Sequence, residues 1–334
     1  MLRYTIRRLI QLVGVVLVLS LLLFAWLRAL PGGPVSALLG ERSTPEKREA
    51  LTKQLGLDQP IFVQYLKFMG RALSGDFGVS TGVQPGDAAL DIFLQRFPAT
   101  LELSFLAILI AIALGIPLGY LAAKRRGGWF DNLSVAGSLL GVAVPVFFLA
   151  YVLKDVLSSA LGLPTGGRQD AIDATRVTGF FVLDGVLTQE WDAALNALEH
   201  LVLPAMALAT IPFAVVFRIT RAAVLDVLDE DFVRTAESKG LTAPTIRRRH
   251  VLRNAMLPVV TTIGLQTGAL LAGAVLTEKV FAFAGVGEAL ALGFERRDYP
   301  VLLLLIIMAT IVYVVVNLLV DLSYALIDPR IRTR

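Results

Sequence analysis

Few residues in this 334-residue chain could do covalent chemistry, and their placement argues against it. Gly78-Val79-Ser80-Thr81-Gly82 has the G-x-S-x-G spacing of a hydrolase nucleophile elbow. That elbow needs a buried strand before it, a helix after it, and a histidine and an acid beside the serine. Neither flank reads as a buried strand, and the hydropathy pattern places the two histidines, His200 and His250, on opposite faces of a membrane. A loop is therefore the expected state of 78–82, and a cap or packing residue that of His200. The sequence holds no cysteine, so disulfides and thiolate metal sites are excluded, and two separated histidines make a poor zinc site. It holds neither G-x-x-x-x-G-K-[ST] nor any Gly-Lys pair, so ATP phosphates have no loop to cradle them. By these residues the chain is not an enzyme and binds no metal or cofactor.

What remains is recognition by polar residues set inside apolar runs. Thr262 and Gln266 lie four apart in the run 257–276, on a different face from the small residues Gly264, Gly268 and Ala272. The small-residue stripe suits a close helix–helix seam. Tyr313, Asn317 and Asp321 recur at the same interval in the last run, with Asp321 near its end. Gln266, Thr262, Asn317 and Tyr313 are thus candidates for lining a solute path; an amide satisfied by a neighbouring helix accounts equally well for Gln266.

The elements that must position these residues are membrane spans. Hydrophobic residues make up 56% of the chain and charged ones only 17%, too apolar for a soluble domain of this length. Runs at 9–30, 101–123, 134–153, 201–220, 257–276 and 301–322 are each about 20 residues, enough to cross the hydrocarbon core. The fold class expected is an all-α integral membrane protein of six transmembrane helices. The first run lacks a good cleavage site and reads as an uncleaved span. Segments 1–8, 124–133, 218–255 and 321–334 carry 17 Lys and Arg in 70 residues, against 12 in 131 for 31–99, 161–199 and 277–299. The denser set belongs inside, which puts both termini in the cytoplasm. Nucleic-acid binding is not needed to explain the charge.

Between the spans, 31–99 has the helix starts and amphipathic faces of an ordered extracytoplasmic cap, whereas the acidic segment 161–199 reads as exposed and solvated. Prolines within Gly115-Ile116-Pro117-Leu118-Gly119 and Val144-Pro145-Val146, with Pro204 and Pro212, predict bends in the second to fourth spans. The segment 228–260 is too polar for lipid. Asp229, Glu230 and Asp231 mark a helix start, Gly240 a left-handed cap, and Thr242 with Pro244 the start of a second helix.

That helix–glycine–helix segment carries a resemblance. Arg234-Thr235-Ala236, Gly240 and Leu252-Arg253-Asn254-Ala255-Met256-Leu257-Pro258 resemble the cytoplasmic coupling loop of ABC importer permeases, in the form used by the dipeptide and oligopeptide (peptide/nickel) family. Only Ala236 and Gly240 match the first half of the general loop pattern, and Leu257-Pro258 comes later than its spacing; both departures are the peptide form. LRALPGGPVSALLGE and LGLDQPIFVQYLKFMGRALSGDFGVS resemble the family's extracytoplasmic segment, and Tyr324–Arg330 its ending. Glu278-Lys279-Val280-Phe281 and Gly285-Val286-Gly287 resemble its outer segment.

The resemblance implies a first span over 1–30, a cap over 31–99 and a five-span permease core over 100–334 with its coupling loop at 228–258. It implies that Arg234, Thr235, Ala236, Lys239, Gly240 and Leu241 meet an ATPase, and that Phe281, Gly285 and Gly287 form an outer gate. Implied partners are a second homologous permease, two ABC ATPase subunits that use ATP and magnesium, an extracytoplasmic solute-binding protein, a peptide substrate and membrane lipid, in a prokaryotic inner membrane. Two alternatives stay open. One is a permease for nickel or another small solute, which shares these motifs. The other is a self-powered secondary transporter, which needs an intramembrane ion site and usually an internal repeat, neither evident in the sequence.

Overall fold

The computed structural model describes residues 2–29, 35, 39, 44–54, 56–172 and 174–327. Among these the chain is all-helical, with no strand and one isolated antiparallel bridge, Val79 to Ala88. The helices are α1 (Leu2–Ala29), α2 (Pro45–Gln54), α3 (Ile61–Leu73), α4 (Ala89–Lys124), α5 (Trp129–Ala143), α6 (Val146–Val152), α7 (Ser158–Leu161), α8 (Phe181–Leu187), α9 (Trp191–Leu228), α10 (Asp231–Ser238), α11 (Ala243–Thr245), α12 (Arg253–Gly273), α13 (Val275–Val280), α14 (Val286–Glu295) and α15 (Tyr299–Ile327). Two π-helical turns, Leu153–Leu157 and Ile246–Leu252, join α6 to α7 and α11 to α12.

Four of these helices are long and apolar enough to cross a membrane, over Leu9–Ala29, Ala89–Lys124, Trp191–Leu228 and Tyr299–Val320. Trp129–Ala143 with Val146–Leu161 makes a fifth if that bent pair counts as one span. The run 257–276, expected to be a single span, is shared between α12 and α13, which meet at Ala274. Thr261, Thr262, Gln266 and Thr267 interrupt the apolar surface of α12, which is not among the four.

Of the bends expected at proline, the clear break is at Pro145. Val144 is extended (ψ 126), as the residue before proline prefers, and α5 ends there; the next helical segment departs at 104°. Pro117, Pro204 and Pro212 instead sit inside helices that continue past them.

Contacts divide the chain into two compact units, 1–100 with 284–314 and 101–283 with 315–334. In the first, Phe24 of α1 stacks on Phe68 of α3 with ring centroids 5.4 Å apart, and Tyr65 meets Phe24 edge-on at 5.6 Å. Ile307 of α15 completes this cluster. A second cluster joins Val83, Ala89, Ile92 and Phe93 to Ala289 of α14 and to Val301, Leu304 and Leu305 of α15. Arg96 and Glu288 close the α4–α14 contact with a 2.7 Å ion pair.

The second unit is built around α9, which α5, α6, α8 and α12 pack against. Its seam with α4 is a close one. A Cβ on Gly119 would lie 2.7 Å from the Phe217 carbonyl oxygen and 2.9 Å from Thr220 Cβ, so only glycine allows this approach. The sequence places its small-residue seam on the fifth run; Gly264 and Gly268 are indeed buried, and the side chain of Ala272 lies outside the described residues.

Candidate functional site

The helix–glycine–helix segment forms as its residues dictate. Glu230 is the N-cap of α10 and Lys239 its C-cap, and Gly240 follows in the left-handed region at φ +73. Gly240 N–H donates to Glu237 O at 2.9 Å and Leu241 N–H to Ala236 O at 3.3 Å, the paired bonds of a Schellman cap. Thr242 is the N-cap of α11 with Pro244 in its first turn, but its hydroxyl meets Thr245 Oγ1 at 3.0 Å rather than a backbone N–H.

This module is fused to the span ends. Val233 and Ala236 are buried with Ala123 of α4, Val224 of α9, and Val251 and Ala255. Ala236, taken in the sequence as a contact for a partner, faces inward and holds α10 in place. Arg234, Thr235, Lys239, Gly240 and Leu241 are exposed. So is Phe232, 40% exposed, which the motif did not single out although an aromatic two residues from a charged helix start was visible. Beneath the module, Arg221 makes a bidentate pair with the buried Asp131 at 2.5 and 2.7 Å, tying α9 to the start of α5.

The path candidates are only partly brought together. Thr262 Oγ1 donates to Pro258 O at 2.9 Å within its own helix, and Gln266 is half-buried on α12. Asn317 Oδ1 is buried with no hydrogen-bond partner among the described residues. Tyr313 is 42% exposed and belongs to the other unit. The side chain of Asp321 lies outside the described residues.

The gate candidates also divide. Phe281 is buried in the second unit, where its carbonyl accepts Gly167 N–H at 2.9 Å and Lys154 Nζ donates to Val280 O at 2.8 Å. Gly285 is the N-cap of α14 and Gly287 is buried in that helix, both in the first unit.

The acidic segment 161–199 is not simply solvated. Glu102 of α4 accepts N–H groups of Phe181 and Val182 at the head of α8, at 3.3 and 2.8 Å, and pairs with Arg168 at 3.1 Å. Arg168 is buried, stacks 3.6 Å over Phe181 and donates to Gly179 O. Burial lowers its basicity, and Glu102 acts the other way. Asp184, fully buried, accepts Thr178 N–H and Oγ1–H and Gly179 N–H. Burial alone would push its carboxyl up, but these donors together hold it below its usual value. The carboxylates are staples that fold the segment on itself and onto α4. His200 is a buried packing residue whose Nδ1–H donates to Asn196 O at 2.9 Å.

The G-x-S-x-G loop has an architectural explanation too. Asp298, wholly buried at the head of α15, accepts Ser80 Oγ–H at 2.5 Å and the N–H groups of Thr81, Gly82 and Val83 at 3.2, 2.9 and 2.9 Å. A Cβ on Gly82 would lie 2.7 Å from Arg296 Cβ. The serine is a donor to a buried acid. Asp298 has no sequence signal beyond standing before Tyr-Pro at a helix start.

Residues 115–333 match the family described as the binding-protein-dependent transport system inner membrane component, and residues 1–104 match the N-terminal component of such systems. The dipeptide transport system permease protein DppB of Escherichia coli K12 is 42% identical over 99% of both chains. The di/tripeptide transport system permease protein DppB of Pseudomonas aeruginosa is 43% identical over 99% of both. The oligopeptide transport system permease protein AppB of Bacillus subtilis is 36% identical over 98% of both. Among solved structures, the inward-facing MetNI methionine ABC transporter superposes with a TM-score of 0.54 at 15% identity, covering 71% of this chain and 96% of that one. At that identity the likeness speaks for the fold alone.

Proposed function

The chain belongs to the family of binding-protein-dependent transport system inner membrane components, and on that premise we propose that it is one permease subunit of an ATP-driven importer of di- and oligopeptides. It forms half of the translocation path, beside a second homologous permease. Two ATPase subunits supply the hydrolysis for which this chain has no loop, and an extracytoplasmic binding protein delivers the peptide.

One observation carries the reading: α10 buries Val233 and Ala236 among the ends of α4, α9 and α12 and leaves Phe232, Thr235, Lys239 and Leu241 outside. A partner gripping the exposed side moves three spans at once. In this reading both termini are cytoplasmic, six spans cross the membrane with α12 as the fifth, and 31–99 caps the outer face. Arg234, Thr235, Lys239, Gly240 and Leu241 meet the ATPase, with Ala236 behind them. Gln266, Thr262, Asn317 and Tyr313 line the path, and Phe281, Gly285 and Gly287 border its outer gate. The peptide class follows from relatives that are peptide permeases along their whole length.

The test is affinity purification from solubilised membranes, followed by peptide-stimulated ATPase and uptake in vesicles, wild type against Gly240→Val. We expect a second permease, ATPases and a binding protein to co-purify. The variant should assemble yet lose coupling, because nothing lies within 4 Å of a Cβ there and only the left-handed turn is strained. A chain that purifies alone and transports alone would overturn the reading.

A further inference from the structure

We propose that the first unit carries a binding site for the phosphate-bearing headgroup of an anionic phospholipid, in a cavity beside the end of α1. The inference goes beyond the transport reading and needs only that the chain spans a membrane.

The cavity is about 620 Å³. Its apolar wall includes Phe24 and Leu27 of α1 and Tyr299 of α15; its polar lining includes Arg28, Arg71 and Asp76. Arg28 stands in the last turn of a 21-residue apolar stretch, the depth at which a span reaches the headgroups. Its guanidinium is half-buried, lies 4.6 Å from the centroid of the Phe24 ring and donates to Gln64 Oε1. Arg71 closes the last turn of α3 on the same cavity. Among the described residues neither arginine forms an ion pair with a carboxylate. The one acid in the lining, Asp76, has Oδ1 engaged by Gly78 N–H at 2.9 Å.

Two cations therefore share one half-enclosed space with a single acid. Like charges brought together out of bulk water repel unless an anion sits between them, and arginine forks fit phosphate oxygens in pairs. The volume is that of an organic ligand rather than a bare ion. Lipid is the source favoured by the wall. The apolar window of α1 is only 11% buried, and Val18, Leu22 and Trp26 stand exposed along it, so a headgroup held by Arg28 can run its acyl chains down that face.

The test is native mass spectrometry of the purified full-length chain in its complex, delipidated and re-equilibrated with phosphatidylglycerol, with phosphatidylethanolamine or with phosphatidylcholine. Wild type should retain phosphatidylglycerol in preference to the other two, and Arg28→Gln and Arg71→Gln should each lower that retention about tenfold, the loss of one charge-assisted contact. Arg28→Lys should fall between them. Arg71 is exposed, so its variant keeps the test alive if Arg28→Gln fails to fold. Equal retention of all three lipids, or unchanged retention in Arg71→Gln, overturns the proposal. Displacement by millimolar inorganic phosphate reassigns the site to a free anion, and displacement by a dipeptide reassigns it to transported cargo; either result sinks the lipid assignment.

Discussion

At the scale of single residues, two buried acids, Asp298 and Asp184, do unequal work. Asp298 gathers four donors on one oxygen, three of them backbone groups that no other residue satisfies in that loop. Asp298→Ala leaves those donors, Val83 N–H buried among them, without their acceptor, so a loss of about 3 kcal/mol is expected, read as a fall in the melting temperature of the detergent-solubilised chain; Ser80→Ala, which removes one donor, should cost far less. Asp184 offers a pH signature. Its carboxyl is held below the ordinary value of 3.8, so the stability it gives is full above that value and is lost as pH falls through the lower, folded-state value. The 163–190 segment should therefore loosen only below about pH 4, seen as a change in the fluorescence of Trp191, and Asp184→Asn should loosen it already at neutral pH with no further acid transition. An acid transition unchanged in Asp184→Asn would refute this. The glycine at 240 was legible from type and position alone, because a left-handed cap leaves a helix few other residues. Asp298 was not, because its donors come from a loop more than 200 residues away and nothing local marks their meeting.

At the scale of elements, the seam of α4 on α9 is one of the close backbone approaches in the second unit. Gly119→Leu would drive a side chain into the Phe217 carbonyl, and a loss of about 3 kcal/mol or more is expected from overpacking, with Gly137→Leu as the control, since no atom lies within 4 Å of a Cβ there. Equal melting temperatures for the two would refute the seam. Hydropathy was enough to find the four long apolar helices, and Pro145, within Val144-Pro145-Val146, was among the prolines expected to bend a span. It could not tell that Pro117, Pro204 and Pro212 would be absorbed, because neighbouring helices and not the local sequence decide whether a freed carbonyl is tolerated. The acidic segment misled for a related reason. Counting charges ignores partners, and Glu102 and Arg168 find each other 66 residues apart.

At the scale of the whole molecule, the chain is a multi-pass membrane protein, and composition carried most of that conclusion. The path was the least legible part. Polar residues four apart can be recognised in a span, but in the proposed role the surface they share becomes a path only when a second subunit faces it. If the proposed role is right, cysteines placed at Thr235 and at Leu241 should crosslink to an ATPase subunit, while one at Val233 should not, since that side chain is 2% exposed. Crosslinking from Val233 as strong as from Thr235 would show that α10 is not seated as described.

The wide turn over Ile246–Leu252 has a consequence of its own. Such a turn carries one residue more than a regular helical turn, and each residue advances the azimuth by about 100°. It is a stored slip of register between α11 and α12: were the spare residue to migrate along the helix, every side chain it passed would swing by roughly that angle. Removing one residue within 246–252 should let the helix close regularly with both ends still in place, giving a chain that folds and assembles but can no longer make that rotation.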